Sequence, residues 1–326
     1  MENPFTGTKV LITGGMGFIG SAIARRLADV AKVTIVDSMI PEYGGNFSNI
    51  KGFEDKLTVN ISDVRDHFSL RHLVQGMDYI FNMAGQTSHM DSMADPQTDL
   101  QINARAQLSI LETIRQYNPD TKIIFASTRQ LYGRPQYLPV DEQHPVHPVD
   151  VNGINKLAGE QYHLLYNEVY GVRGTVLRLT NTYGPGMRIM DARQTFVGIW
   201  IRRLLEGHPI EVWGGQQLRD FNYLDDVVDA FLQVAVDEKA DGSVFNLGSG
   251  EVISLQDLAE KLVQLHGSGR YKVLEFPQER KKIDIGDYYS DYKLINKRLG
   301  WQPKIFLEQG LKTTLHFYAA HFGEYV

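Results

Sequence analysis

The chain contains no cysteine. That absence excludes disulfides, thiolate nucleophiles and zinc–thiolate centres, and with them any need for an oxidising compartment. Long apolar runs are also missing. The best, VVDAFLQVAV at 227–236, is interrupted by Asp229 and Gln233 and falls short of the roughly 18 residues that suggest a bilayer span. Basic charge is not in excess: 33 Lys and Arg against 39 Asp and Glu leave a formal charge of −6. This balance gives no support to a nucleic-acid partner, which calls for a basic face. It leaves room for phosphate in a small ligand, since one arginine or one helix N-terminus is enough to hold it. The opening MENPFTGTKV has no basic stretch followed by an apolar one, so no secretory signal is read. The expectation is a soluble cytoplasmic protein with no membrane or nucleic-acid partner and no metal site.

What is present is a globular balance of 43% hydrophobic and 22% charged residues in 326 residues, longer than one core readily serves. KVLITG (9–14) is a short β-branched run ending in glycine and reads as a buried strand. Residues 18–30 read as a helix, with Ile19, Ile23 and Leu27 at four-residue intervals. Further buried strands are read at 32–37, 77–85, 121–127 and 172–179, with helices at about 99–117 and 153–170 between them. Strand–helix alternation with apolar strands predicts a doubly wound α/β domain, a parallel sheet covered on both faces. After Thr180 the pattern loosens, and glycine and proline cluster in NTYGPG, WGGQQ and LGSG. The predicted organisation is a Rossmann-type domain over 1–180 and a smaller, mixed α/β substrate lobe over 181–326. Segments around 219–248 are expected to return to the first domain.

TGGMGFIG (13–20) lies between the first strand and the first helix. Glycines there permit a tight turn and let the backbone approach a pyrophosphate, whose charge the helix N-terminus meets. Gly14, Gly17, Phe18, Ile19 and Gly20 are therefore cofactor candidates. Asp37 ends the next strand 20 residues after Gly17, where an acid hydrogen-bonds a ribose hydroxyl and repels a 2′-phosphate. The implied cofactor is NAD rather than NADP. The bland alternative is a plain turn beside an exposed aspartate.

With these residues in view, nearly the whole chain resembles the extended short-chain dehydrogenase/reductases, specifically the nucleotide-sugar epimerases and dehydratases. TGGMGFIG looks like that family's cofactor loop. The resemblance places Asp63 and Val64 at the adenine, Ala84 and Gly85 of FNMAGQ against the dinucleotide, and Asn103 of DLQINARAQLSILE at the cofactor. ASTRQLYG (126–133) matches the strand end that carries a catalytic hydroxyl, which falls on Thr128. Substrate contacts implied are Gln86, Thr128, Asn181 of LRLTNTYGPG, and Arg219 of RDFNYLDDVVDAF, the last at a nucleotide diphosphate. A planar guanidinium in an aromatic run suits that role. The bland alternative for Arg219 is a salt bridge with Asp220 or Asp225. Arg280 in ERKKIDIGD is a second phosphate candidate, with a solvated basic cluster as its alternative.

Two departures bear on the chemistry. In the family a Tyr-x-x-x-Lys pair occupies one helix face, because residues four apart are neighbours. Here VDVNGINKLAGE (149–160) keeps Lys156, with a ribose role, but has Asn152 in the tyrosine's place. A carboxamide forms hydrogen bonds yet does not titrate usefully, so it cannot act as a general base. Asn152 could equally be the N-cap of the helix that starts there. Second, the 4,6-dehydratases carry an acidic pair directly after the threonine, and decarboxylases a glutamate; here those positions are Arg129 and Gln130. Both reactions are disfavoured and an epimerase is the least demanding reading. AGQTSHMDSMADP (84–96) is most similar to the CDP-tyvelose 2-epimerase branch.

Some other group must then move the proton. His89 lies in the loop where the family faces the sugar, and its imidazole titrates in the useful range. His144, His147 and Asp150 lie near the helix start; Tyr132 and Tyr183 read as structural. Water held by Thr128 and Asn152, or Lys156 with a lowered pKa, are the remaining candidates. The expectation is an NAD-dependent nucleotide-sugar epimerase using Thr128, Asn152, Lys156 and His89. The alternatives are another nucleotide-sugar reaction on the same scaffold, or a silent binding protein. Ala158, Tyr162, Leu165, Tyr166 and Val169 follow helical spacing, and the resemblance implies a homodimer through these helices.

Overall fold

The computed structural model describes residues 3–326, except for the side chains of Glu279 and Arg280. Twelve strands run in chain order: β1 (Lys9–Thr13), β2 (Lys32–Asp37), β3 (Leu57–Ile61), β4 (Tyr79–Asn82), β5 (Lys122–Thr128), β6 (Gly174–Leu179), β7 (Asn181–Tyr183), β8 (Ile210–Trp213), β9 (Leu218–Tyr223), β10 (Ser243–Asn246), β11 (Val252–Ser254) and β12 (Tyr271–Leu274). Seven of them pair in parallel in the order β10-β6-β5-β4-β1-β2-β3. The Rossmann-type expectation is met.

Alternation along the strands divides the core. Val10, Ile12, Ile35, Phe81 and Ile124 face one helical layer, which includes Ile23 and Leu27 of the helix Phe18–Leu27 and Val227 and Phe231 of the helix Leu224–Val236. Leu11, Val36, Ile80 and Ile123 face the other, formed by Ile110, Leu111 and Ile114 of the helix Ala106–Tyr117 and by Tyr166 of the helix Val151–Tyr170. With both faces covered, these strands read as continuous apolar runs, which is why they were visible in the sequence. β3 was not. It is the sheet edge, its residues are half-buried or exposed, and Thr58 and Asn60 break its apolar character.

The smaller lobe holds a mixed sheet, β11-β9-β7, and the parallel pair β12-β8. Two later segments join the main sheet: β10 pairs with β6, and the helix Leu224–Val236 packs on one of its layers. β9 does not return; it is the centre of the small sheet. Among the described residues no helix is long and apolar enough to cross a membrane.

The sheet order reverses between β1 and β4, so the connections that leave their carboxyl ends run to opposite faces and leave a crevice, the usual ligand position in such sheets. Its floor is stitched: Thr13 Oγ1 donates to Asn82 Oδ1 (2.8 Å) and accepts from Ala84 N (3.1 Å), while Asn82 Nδ2 donates to Gln107 Oε1 (2.6 Å).

The helix Val151–Tyr170 is anchored beneath this crevice. Asp150 caps it, its Oδ1 accepting from Gly153 N at 2.7 Å, and Gly171 ends it at φ +71°. Asn152 is therefore inside the first turn and is not the cap. Midway, the buried Glu160 carboxylate accepts from Ser127 Oγ (2.9 Å) on β5 and forms a two-pronged ion pair with Arg178 on β6. Removing one partner of a buried pair leaves the other charge uncompensated, at about 3–5 kcal/mol. Glu160→Ala should lower the unfolding free energy by about that amount in urea titrations; a loss below about 1 kcal/mol would show that this tie does not hold the helix.

Candidate functional site

The crevice is one continuous cavity. Its outer part is lined by Gly14, Gly17, Phe18, Ile19, Gly20, Asp37, Asp63 and Val64, its middle by Ala84, Gly85 and Lys156, and its inner end by His89, Thr128, Arg129, Asn152 and Asn181. Every cofactor position read from the sequence lies on this wall except Asn103, which sits just behind it.

The outer part suits a dinucleotide. Gly14 has φ +66°, and a Cβ there would stand 2.9 Å from Ala84 N; a Cβ on Gly20 would stand 2.3 Å from the Gly14 carbonyl. Side chains at either position would fill the cradle. Gly17 begins the helix Phe18–Leu27 without a side-chain cap, so its first N–H groups are free to meet an anion. Asp37 stands at the end of β2 with Oδ1 and Oδ2 accepting from the backbone N–H groups of Met39 (2.9 Å) and Met16 (3.0 Å). Burial pushes its pKa up, and these two N–H groups oppose the rise. Asp63 is partly buried, which alone would raise its pKa, but Arg65 at 2.6 Å holds it below the usual carboxylate value.

Behind the middle lies a network that the sequence did not announce. Asp99 is fully buried. Its Oδ2 accepts from Asn103 Nδ2 (3.0 Å) and Asn152 Nδ2 (3.1 Å), and its Oδ1 from Asn155 Nδ2 (2.8 Å). A buried carboxylate requires such partners, since leaving it bare costs several kcal/mol. Asn103 reaches Asp99 from a five-residue π-helical turn, Gln101–Arg105, inside what was read as one helix over 99–117. Such turns cluster at functional sites because they re-aim side chains. The Gln86 carbonyl accepts from both Asn103 (2.9 Å) and Asn152 (2.8 Å). Expected at the sugar, the Gln86 side chain instead turns inward, 1% exposed, and donates to Ser88 O.

Lys156 Nζ donates to Ala126 O at 3.1 Å and lies 5.0 Å from the centre of the Phe125 ring. Burial pushes its pKa down to about 8, opposed by the negative charge of Asp99. Asn103 Oδ1 is buried without a partner, and a Cβ placed on Gly85 would meet both it (3.1 Å) and Lys156 Nζ (2.8 Å). A cation and an idle acceptor thus converge where the chain leaves β4, a pairing that fits a ribose with its hydroxyls. The residues present fit NAD along the whole wall.

At the inner end His89 Nδ1 lies 3.0 Å from Asp150 Oδ2 but is not aligned as a full hydrogen bond. Asp150 is buried, which raises a carboxylate pKa, but the contact with His89 and the donors Gly153 N and Gln130 Nε2 (2.7 Å) bring it below the ordinary value. Ser92 Oγ donates to His89 O (2.7 Å) and accepts from Asn152 N (3.2 Å), which ties the turn bearing His89 to the helix bearing Lys156.

Other candidates lie elsewhere. His144 is buried, with Nε2 accepting from Gln136 N (2.8 Å) and Nδ1 facing Pro145 O, and His147 does not line the cavity. Tyr132 donates to Asn246 Oδ1 (2.7 Å) and Tyr183 to Leu307 O (3.2 Å), both structural as read. Arg219 is buried but outside the cavity wall. It pairs with Asp284 (3.6 Å) rather than Asp220 or Asp225 and also donates to the Gly286 carbonyl. Burial and the nearby Arg129 push its pKa down to about 10. Arg280 belongs to the short helix Gln278–Lys281, and its side chain lies outside the described residues. Among the described residues no group of three His, Asp or Glu is placed to hold a metal.

The sequence matches the NAD dependent epimerase/dehydratase family over residues 10–248. It is 33% identical over 314 residues to a putative UDP-glucose 4-epimerase of Methanocaldococcus jannaschii, covering 94% of this chain and 97% of that protein. It is 30% identical to UDP-glucuronic acid decarboxylase 1 of Xenopus tropicalis, covering 95% of this chain and 72% of that one. Among solved structures, the UDP-glucose 4-epimerase of Thermotoga maritima with UDP-glucose superposes with a TM-score of 0.88 at 30% identity, over 97% of this chain and all of that one.

The lysine gives a pH signature. Its folded pKa of about 8 lies below the ordinary 10.5, so between these values the unfolded chain holds more protons. Stability then rises with pH across that window, by up to about 3 kcal/mol. Unfolding free energies of the wild type should show this rise and those of Lys156→Met should lack it; parallel curves would refute a depressed lysine.

Proposed function

We propose, for a chain that belongs to the NAD-dependent epimerase/dehydratase family, that it epimerises a uridine diphosphate sugar with His89 as the acid/base. Membership rests on the match over residues 10–248 and on relatives aligned across nearly the whole chain. NAD is the cofactor, and the uridine nucleotide is the one the similar UDP-glucose 4-epimerases act on.

The observation that carries the proposal is the opposite commitment of two side chains. Asn152 gives its amide N–H groups to Asp99 and to the Gln86 carbonyl. His89 stands on the cavity wall backed by the buried Asp150. A carboxylate 3.0 Å from an imidazole stabilises the imidazolium that forms when the ring takes a proton, which is what a proton-shuttling histidine requires. NAD, when bound, supplies hydride acceptance from and return to the sugar carbon. Lys156 and Asn103 Oδ1 would hold the ribose end of the cofactor, and the Thr128 hydroxyl would hold the reacting sugar oxygen. His89 takes the proton of that hydroxyl as the carbon is oxidised and gives it back when the carbon is reduced from the other face. Protons and electrons balance, with no net redox change. A dehydratase is a weaker reading, because Gln130 spends its amide on Asp150 and Arg129 is a cation.

The same reading includes a homodimer. Leu108 on one helix, and Ile154, Leu165 and Val169 on the next, are exposed apolar side chains, while Tyr166 is buried beneath them. A neighbouring copy is the simplest cover for them. Leu165→Asp with Val169→Asp should convert a dimer to a monomer by light scattering; an unchanged mass would rule out this face.

For catalysis, His89→Gln should lower kcat on UDP-sugars by about 10²–10⁴-fold and remove the acidic limb of the kcat/KM pH profile, with NAD binding intact. Asp150→Asn should also lower kcat. Full activity of His89→Gln would overturn the assignment.

A further inference from the structure

Arg129 is the feature that this mechanism leaves unused. It follows Thr128 directly and lines the inner end of the cavity. Its Nη2 donates to Asn181 Oδ1 at 2.9 Å, and its guanidinium lies 5.4 Å from the centre of the Tyr288 ring. Its Nε is buried and meets no acceptor. Among the described residues no carboxylate comes within 4.0 Å of it. Asp220, Asp284 and Asp150 act on it only from farther away, and burial depresses its pKa. Arg219, the other buried cation of this region, is in contrast occupied by Asp284 and two backbone carbonyls. A guanidinium taken out of water is normally paired, and its planar fork matches a carboxylate in two-pronged fashion.

We infer that Arg129 selects an acidic sugar: the substrate is a nucleotide sugar bearing a carboxylate, and that carboxylate completes the coordination of Arg129 beside Thr128 and Asn181. The inference rests on the nucleotide-sugar reading above and narrows its substrate class. The position favours the sugar over the diphosphate as the source of the anion. Arg129 leaves β5 one residue after the hydroxyl assigned to the reacting carbon, and Lys156 grips the same strand end at Ala126 O. A neutral hexose would leave the guanidinium without a counter-charge, whereas a carboxylate on the ring would supply one at the cavity wall without displacing a protein partner.

Calorimetric titration of the NAD-loaded protein with UDP, UDP-glucose and UDP-glucuronate tests this. The wild type should bind UDP-glucuronate about 10- to 100-fold more tightly than UDP-glucose, the value of a charge-assisted hydrogen bond. Arg129→Met should bring that ratio close to one while leaving UDP affinity within about twofold, and Arg129→Lys should keep part of the preference, since it retains the charge but loses the fork. Unchanged UDP binding also shows that the variants are folded. Equal affinity of the wild type for the two sugars would overturn the inference. So would an Arg129→Met variant that weakens UDP as much as UDP-glucuronate, because Arg129 would then serve the diphosphate. A protein that binds none of the three would instead sink the nucleotide-sugar reading, and the inference with it.

Discussion

A single buried negative charge organises the centre of this molecule. Asp99 sits out of water, and a bare carboxylate there would cost several kcal/mol. Three asparagine amides and the charge of Lys156 offset it. The requirement propagates outward. It draws Asn103 inward through a π-helical turn, fixes the first two turns of the helix Val151–Tyr170, and sets where Lys156 emerges. It also consumes Asn152. With its amide donors committed to the buried charge, and with no titratable group to offer, Asn152 leaves the acid/base role open to another element.

In the proposed mechanism that element is the turn bearing His89, which the same helix positions. Asp150 caps the helix through one oxygen and meets His89 and Gln130 through the other. The cap of this helix and the support of the proposed base are one carboxylate. Gln130 and Arg129, which stand where acids act in the dehydratases that the sequence resembles, have separate uses here: one steadies Asp150, and the other faces the cavity as a cation. The outer half of the cavity depends on simpler constraints, namely two glycines that no side chain could replace and an uncapped helix start.

Most of the fold was legible because its information is local. Strands covered on both faces appear as apolar runs, and the glycine turn, Asp37 and Lys156 lie at spacings set by backbone geometry. β3 escaped because an edge strand need not be apolar. The active centre was legible only in outline. His89 could be named from its chemistry, but its partner Asp150 is 61 positions away in the chain. Asp99 was overlooked although it lies one helical turn before Asn103, since an aspartate in an amphipathic helix reads as a solvated face. Asn152 and Asp150 are both good caps by type, and only the structure decides between them. Gln86 sits in a substrate motif, yet its side chain serves the scaffold. Each miss in the active centre involves a buried polar contact whose partners are brought together by tertiary structure alone.

The central claim is that the proton-handling group has moved from the helix face at 152 to His89. A crystal structure of the protein with NAD and a nucleotide sugar bound tests it most directly. The account predicts His89 Nε2 within about 3 Å of the sugar hydroxyl that lies against the nicotinamide, with Asn152 still turned to Asp99. Finding Lys156 or a water on Asn152 at that hydroxyl, with His89 out of reach, would contradict it.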